Sequence, residues 1–446
     1  MRRRERKRII ERTDILKSVL FFFVMAIGAI VALIIPLRPT TSEIEKRDLA
    51  KFPEFSLQSF VDGEYLTAVD TWYSDTFPFR ETLIGANSVL QGFNGIGSVQ
   101  IHGSVKKGDE IPTSAEGKVA TLADLPTETE ESSAAATPSS SVEEDVNIPT
   151  QKLGPVFVAG NAGYELYSFG KNMSEQYAAV VNYAADMLDG TADVYDIIIP
   201  NSTGVVLPEK IRSEIGTSDQ KEAMNYMFSV MNDKVKKVNI YDALYEHRGE
   251  YIYFRTDHHW TQLGAYYAYT KYCEVKGLTA KPKEFYEKQE YPGFLGSFYA
   301  DSGKAPELAK TPDTVEAYCP KATNDMIYVD KNGKEVKWNI VSDVSGWGTS
   351  TKYSAFIGGD NPLVKITNPE LKDGSACVVI KESYGNAFVP FMVDHYNYVY
   401  VIDYRYYKGK LKDFVTENKV KDVIFINNIM ATGTSLRIND LIRITK

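Results

Sequence analysis

Two short motifs hold the residue types that nucleophilic chemistry needs. The chain has five histidines, and two stand together in Thr256-Asp257-His258-His259-Trp260-Thr261. An acidic residue beside imidazoles belongs either to a metal site or to the base half of a hydrolytic triad, and the ligand count separates the two. A divalent site needs three or four ligands, whereas His102, His247 and His395 sit in no recognisable ligand spacing, so no metal is assigned. For a triad, an Asp two residues before a His in extended or loop conformation projects to the same side, so Asp257 accepts from one nitrogen of His259 while His258 points away. The carboxylate would fix the tautomer and stabilise the imidazolium formed when the other nitrogen takes a serine proton. The alternative is a hydrogen-bonded cluster capping a helix at Thr261, and spacing alone leaves both open.

The second motif supplies a nucleophile. An apolar strand that runs into a small polar residue followed by Gly exposes a side chain on a sharp turn. Ser383 follows Ala376-Cys377-Val378-Val379-Ile380-Lys381, and Tyr384-Gly385-Asn386-Ala387-Phe388 opens the next helical segment. Amides around Ser383, Tyr384 and Gly385 at that helix start are candidate oxyanion donors, with Asn386 as a side-chain donor. The competing role for Ser383 is a plain helix cap. Asn201, in the strand-ending Pro200-Asn201-Ser202, is a further candidate donor, although its local pattern favours a turn. Asp403-Tyr404-Arg405 ends another strand and reads as an internal ion pair.

These residues need a scaffold. The segment from Pro155 onward alternates β-branched runs with helical windows, which predicts an α/β domain with a mostly parallel sheet. The strand candidates are Val156–Ala159, Tyr195–Ile199, Val238–Tyr241, Ala376–Lys381, Tyr398–Ile402 and Val423–Asn427. A helix is predicted from Ser174, as N-cap, to Leu188, with Gly190 stopping it, and another from the Thr261 cap to the Gly277 stop. Residues 281–369 are less regular and read as an excursion near one sheet edge.

Ahead of this domain, Arg2, Arg3, Arg4, Arg6, Lys7 and Arg8 precede an uncharged apolar run from Ser18 to Leu37. About 20 residues at about 1.5 Å each match a hydrocarbon core of about 30 Å, which predicts a transmembrane anchor. The basic flank places the amino terminus in the cytoplasm and everything after Arg38 outside. Pro36-Leu37-Arg38-Pro39 lacks the small-residue pattern of a cleaved signal peptide. Phe60, Val61, Tyr65, Leu66, Val69, Trp72 and Tyr73 recur at helical steps up to Phe77-Pro78-Phe79-Arg80, with a second helix through Leu83, Val89 and Leu90, and both read as a packing arm. Residues 106–150 turn to Ser, Thr, Glu, Ala and Pro, a composition that buries too little to order itself. The chain therefore divides into a basic cytoplasmic tail (1–17), an anchor (18–37), a helical arm (38–105), a disordered low-complexity loop (106–150) and the α/β domain (151–446).

Composition bounds the function. With 446 residues and 43 % apolar content the chain builds a large core, and a net charge of −9 argues against nucleic-acid binding. Three cysteines without a close pair argue against a disulfide framework, although a Cys273–Cys319 bridge stays open.

With these residues in view, the chain resembles the DHHW protein family, named for Asp257-His258-His259-Trp260, and more distantly the alginate O-acetyltransferases of the SGNH-like superfamily. The resemblance covers the anchor, the Phe77–Arg80 arm, Thr256–Thr261, Lys381–Asn386 and Asp403–Arg405. It implies an SGNH-hydrolase-like three-layer fold and a triad of Ser383, His259 and Asp257, in an order permuted from ordinary SGNH hydrolases. It also implies acetyl transfer to a cell-envelope polysaccharide without a cofactor, with a polytopic membrane acyltransferase supplying acetyl groups from inside. The sequence departs in having Lys381-Glu382-Ser383 where a Gly-Asp-Ser block is expected, and in showing no carbohydrate-binding module. An esterase or deacetylase with the same triad, and a non-catalytic polysaccharide-binding scaffold whose Tyr residues stack on sugars, are the alternatives.

Overall fold

The structure, a computed structural model, describes residues 38, 40–42, 47–48, 50–56, 59–60, 64–78, 99–102, 108–113, 117–122 and 156–446. The predicted anchor at 18–37 and the second arm helix lie outside the described residues. Among the described residues no helix is long and apolar enough to cross a membrane.

The chain divides into two compact units, Met1–Ile96 and Gly97–Lys446. In the first, β1 (Thr41–Ser42) pairs antiparallel with β2 (Arg47–Asp48), and α1 spans Glu64–Asp75. The Arg38 guanidinium lies 4.0 Å from the Trp72 ring and donates to Thr76 Oγ1 at 2.8 Å, which ties Arg38 to the end of α1.

The second unit carries the predicted domain. β3 (Val99–His102), β4 (Val156–Ala159) and β5 (Ala162–Glu165) form a small antiparallel sheet, so residues 99–102 pair with the body instead of continuing the arm. Part of the predicted disordered loop is docked as well. Asp109 N–H donates to Phe169 O at 2.7 Å, Ala120 N–H to Val230 O at 2.9 Å, and Ala120 is buried.

Next come α2 (Lys171–Met187), β6 (Asp193–Ile199), α3 (Ser202–Val205), α4 (Glu209–Ile215), α5 (Gln220–Ser229), β7 (Val235–Lys237), α6 (Tyr241–Glu246) and α7 (Gln262–Lys276). The N-cap of α2 is Gly170, and Ser174 is buried one turn inside, because the helix starts at Lys171, where the apolar stripe has not yet begun. The strand predicted at Val238–Tyr241 is not formed. The strand stops at Lys237 and Tyr241 already opens α6. α7 forms as expected, with the Thr261 hydroxyl accepting from Gly264 N–H at 3.4 Å and Gly277 closing the helix in the left-handed conformation.

The excursion is structured. It contains β8 (Glu287–Phe294), α8 (Ser297–Asp301), α9 (Pro306–Ala309), β9 (Asp313–Cys319), β10 (Asp325–Val329), β11 (Glu335–Asn339) and β12 (Leu363–Thr367). The chain closes with β13 (Ala376–Lys381), β14 (Tyr398–Asp403), α10 (Leu411–Glu417), β15 (Asp422–Asn428) and α11 (Ser435–Thr445).

The eight-stranded sheet has the order β11-β10-β12-β14-β13-β15-β6-β7. From β14 to β7 all neighbours are parallel, and from β14 outward through β12, β10 and β11 they are antiparallel. The mostly parallel sheet of the sequence reading is thus a large mixed sheet in an α/β fold, since the excursion adds its own strands at one edge. β13 and β15 are buried along their whole length, which explains their central apolar stretches, Ala376–Ile380 and Val423–Ile426. The three cysteines are free and buried, Cys273 and Cys319 included.

Candidate active site

The site forms where the central parallel strands end. At the carboxyl end of β13 the chain turns through a 3-10 helix, Ser383–Ala387, which Glu382 caps. The Glu382 carboxylate is buried and accepts Tyr384 N–H at 3.2 Å and, from the end of β15, Asn428 N–H at 2.9 Å. Gly385 is required here, because a Cβ on it would sit 2.5 Å from Lys381 Cβ. Ser383 emerges from this turn with 8 % of its surface exposed.

The histidine motif is a loop closed by its own flanks. Tyr253 and Trp260 pair antiparallel, and Thr261 N–H donates to Ile252 O at 3.0 Å. From the excursion, Asp313 on β9 accepts Thr256 N–H at 2.7 Å, Thr256 Oγ at 2.6 Å, Arg255 N–H at 3.1 Å and the Tyr251 hydroxyl at 2.5 Å. The fully buried Trp260 then ties this loop to the serine turn, donating from Nε1 to Tyr384 O at 2.9 Å. The Tyr384 hydroxyl returns the tie by donating to His258 O.

Between the two pieces runs a continuous hydrogen-bonded chain. Asp257 Oδ1 lies 2.6 Å from His259 Nδ1 and also accepts His259 N–H at 3.0 Å, while Oδ2 accepts Ser297 N–H at 2.8 Å. With Asp257 accepting at Nδ1, the neutral ring carries its proton there and offers the Nε2 lone pair to Ser383 Oγ, 2.8 Å away. A second acceptor for that hydroxyl, Glu382 Oε2, is more distant at 3.3 Å. Burial opposes ionisation of Asp257, but the neighbouring His259 and His258 rings and the hydrogen bonds from His259 and the Ser297 amide outweigh it and hold the carboxyl well below its usual range. Gly296 sits so close to Asp257 that a Cβ would overlap the carboxylate.

His258 does not point away. Its ring packs on His259 with centroids 3.8 Å apart, and its Nδ1 lies 2.6 Å from Ser297 Oγ. Burial and then the charge of His259 push it down to about 3, so it is neutral at physiological pH. Asp257, His258 and His259 are also the trio of metal-capable side chains found together among the described residues. The inward atoms of Asp257 and His259 are committed to each other, to Ser297 and to Ser383.

The candidate oxyanion donors of Tyr384, Gly385, Asn386 and Asn201 are engaged. Tyr384 and Gly385 N–H bond to Glu382, through its carboxylate and its carbonyl at 3.0 Å respectively, and Asn386 Nδ2 donates to Asp360 Oδ1 at 3.0 Å. Asn201 caps α3, accepts Thr203 N–H at 3.1 Å and Gln220 Nε2 at 2.6 Å, and donates to Glu165 O at 2.9 Å, in line with the turn its local pattern favours.

Several contributors carry no signal in the sequence. Ser297, Asp313 and Tyr353 come from the excursion, and Tyr353 stacks on His259 with centroids 3.8 Å apart while its hydroxyl donates to Ser383 O at 3.0 Å. Beneath the serine turn lies a buried ionic cluster. Lys381 Nζ lies 2.9 Å from Asp403 and 3.0 Å from Asp360, and Arg405 lies 2.7 Å from Asp403 and 2.8 Å from Asp360. The expected Asp403–Arg405 pair is therefore half of a four-charge cluster. Burial would raise the Asp360 carboxyl, but Arg405 and Lys381 hold it well below its usual range.

A family model described as DHHW protein matches residues 45–122 and 127–402. Among solved structures, a DHHW family protein from Eubacterium siraeum is 28 % identical with a TM-score of 0.60, covering 67 % of this chain and 98 % of that one. PatB1 from Bacillus cereus, solved with a sulfonyl adduct, is 18 % identical with a TM-score of 0.54, covering 65 % and 98 % respectively, and it bears on the fold alone. The O-acetyltransferase domain of Pseudomonas putida AlgJ, at 12 % identity and a TM-score of 0.32 over 61 % of this chain and 90 % of that one, is too distant to carry an argument. No curated protein matches the chain.

Proposed function

The chain belongs to the DHHW protein family and has an α/β fold with a large mixed sheet, and from that premise we propose that it is a membrane-anchored, SGNH-hydrolase-like O-acetyltransferase acting outside the cell on an envelope polysaccharide. The observation that carries the reading is the unbroken chain from Asp257 through His259 to Ser383 Oγ, with separations of 2.6 and 2.8 Å.

In this reading His259 Nε2 takes the Ser383 proton as Oγ attacks the acetyl carbonyl, and Asp257 stabilises the imidazolium that forms. The tetrahedral intermediate collapses, the leaving group departs with the proton from Nε2, and the acetyl group remains as an ester on Ser383. A sugar hydroxyl then gives its proton to Nε2, attacks the ester carbonyl and leaves acetylated as Ser383 regains its proton. The acetyl group and the polysaccharide acceptor come from the motif resemblance to alginate O-acetyltransferases. A polytopic membrane acyltransferase is the proposed donor partner. The anchored, outward-facing location rests on the apolar run at 18–37 with its basic flank.

The test is turnover of an acetyl ester by the full-length protein in detergent micelles, with and without envelope oligosaccharides, for wild type, Ser383→Ala and His259→Ala. Acetylated sugar formed by wild type and by neither variant supports transfer. Acetate release unaffected by any acceptor makes the protein an esterase, and no turnover by folded wild type rejects the enzyme reading.

A further inference from the structure

An imidazole held by one hydrogen bond at Nδ1 still has a broad torsion about its ring axis, and a flip would bring a carbon to the place where Nε2 meets the serine. In this structure the ring has no such freedom. His258 lies 3.8 Å from the His259 centroid with 35° between the planes, and Tyr353 lies 3.8 Å from the same centroid with 12° between the planes. Two rings at that distance cannot share one face, so they cover opposite faces. Tyr384 closes one edge at 4.9 Å.

Both covering rings are fastened to the groups whose geometry they guard. The Tyr353 hydroxyl donates to Ser383 O at 3.0 Å. His258 rests on Ser297, whose amide binds the Asp257 carboxylate at 2.8 Å, and the His258 carbonyl accepts the Tyr384 hydroxyl. The ionisable groups around His259 are Asp257 and His258 on its own loop, Glu382 and Tyr384 on the serine turn, and Tyr353 from the excursion.

We propose that His258 and Tyr353 are the two jaws of an aromatic clamp that holds His259 aimed at Ser383, and that the Tyr353 face also favours the imidazolium formed during acyl transfer. The proposal rests on the reading of Ser383 and His259 given above. Tyr353 presents the electron-rich face of its ring to a charge that appears only when His259 is protonated. His258, neutral at physiological pH, adds packing without a competing positive charge. Both are positioning residues, and the first histidine of the motif thereby acquires a role separate from that of the second. The excursion acquires one as well, since it supplies Tyr353.

The test is the pH–rate profile for sulfonylation of Ser383 by phenylmethanesulfonyl fluoride in the full-length protein in micelles. In this step the Oγ–S bond forms, the S–F bond breaks and His259 takes the serine proton. Tyr353→Leu and His258→Ala should each slow the plateau at least tenfold, and Tyr353→Phe should recover most of what Tyr353→Leu loses. Without the Tyr353 face the imidazolium is less favoured, so the acid limb should move to lower pH by about 0.4 to 1.5 units. Replacing Tyr353 with Phe carrying one, two and three ring fluorines drains the ring face without opening a cavity and should move the limb stepwise in the same direction. A limb that stays in place through that series, or a Tyr353→Leu protein that reacts like wild type, overturns the clamp. If Ser383→Ala is labelled as fast as wild type, the failure lies instead with the function proposed above.

Discussion

Replacing Asp257 with Asn keeps the side-chain volume and removes one acceptor from a place where three donors converge. Asp257 Oδ1 takes His259 Nδ1–H and His259 N–H, and Oδ2 takes Ser297 N–H. Asn offers a single carbonyl oxygen. If that oxygen turns to His259, the amide NH2 confronts Ser297 N–H in a buried site, with both donors unmet. If it turns to Ser297, the NH2 faces His259 and donates to Nδ1, which moves the ring proton to Nε2. A protonated Nε2 cannot accept from Ser383, so the base is lost although every atom stays in place. Wrong-tautomer effects of this kind lower turnover roughly 10^3–10^4-fold, equivalent to about 4–5.5 kcal/mol in the barrier. The assay is acetyl-ester turnover by full-length Asp257→Asn at neutral pH, with thermal melting as the fold control. The carboxyl is held below its ordinary range in the folded protein, so its stabilisation is present above about pH 4, and the variant should also melt somewhat lower at neutral pH. A folded variant that retains more than a tenth of wild-type turnover would refute the reasoning.

Three further outcomes follow from the groups around the site. Asp313→Ala strips the acceptor from Thr256, Arg255 and Tyr251 and leaves buried donors unmet, which should cost about 3–5 kcal/mol in chemical denaturation and slow turnover through the loosened motif loop. Asp360→Asn leaves Lys381 and Arg405 sharing the single carboxylate of Asp403, and should cost about 3–5 kcal/mol in thermal unfolding with little recovery by added salt, because the cluster is buried. Asp196 on β6 accepts the Tyr177 hydroxyl at 2.6 Å, and burial pushes its carboxyl up to about 7. A raised carboxyl favours the protonated form in the folded state, so the Asp196 contribution to wild-type stability should fall as pH rises from about 4 to about 7. Asp196→Asn, neutral throughout, should therefore gain on the order of 2–3 kcal/mol relative to wild type between pH 5 and pH 8 in melting experiments.

The strands that carry the site were legible because they lie inside a parallel sheet. β13, β15 and β6 are buried over nearly their whole length and therefore carry apolar stretches (Ala376–Ile380, Val423–Ile426 and Ile197–Ile199) with no alternation of exposed polar residues. The edge strand β7 gave no such signal. Its sequence, Val235–Lys237, is two-thirds lysine, and of the buried apolar residues beyond it Val238 adds one last bond to β6, from its amide to Asp196 O at 2.9 Å, before the chain turns into α6. Strands β10 to β12 were hidden for a related reason. They are partly exposed antiparallel strands; β10 and β11 form a local hairpin, but its attachment to the sheet, such as Ile327 with Lys365, is set by partners distant in the chain. At the site, the spacing of Asp257 and His259 made their contact readable, because an i to i+2 relation is local. Ser383, 124 residues from His259, was readable through its strand-turn context and the family resemblance. Ser297, Asp313 and Tyr353 had no local pattern at all, since each acts through residues at least 30 positions away. His258 turns inward and not outward because the motif is a loop without the alternation of an extended chain, and Ser297 and the His259 face draw its ring in.

The central claim is that Ser383 is a nucleophile activated by His259. It is tested most directly by treating the full-length protein with phenylmethanesulfonyl fluoride and mapping the adduct by peptide mass spectrometry, in wild type and in His259→Ala. The account predicts a single sulfonyl group on the peptide containing Ser383 in wild type, and labelling at least 100-fold slower in His259→Ala, an order of magnitude set by the loss of a general base (about 10^2–10^4). An adduct on another residue, or equal labelling of Ser383 in both proteins, would contradict it.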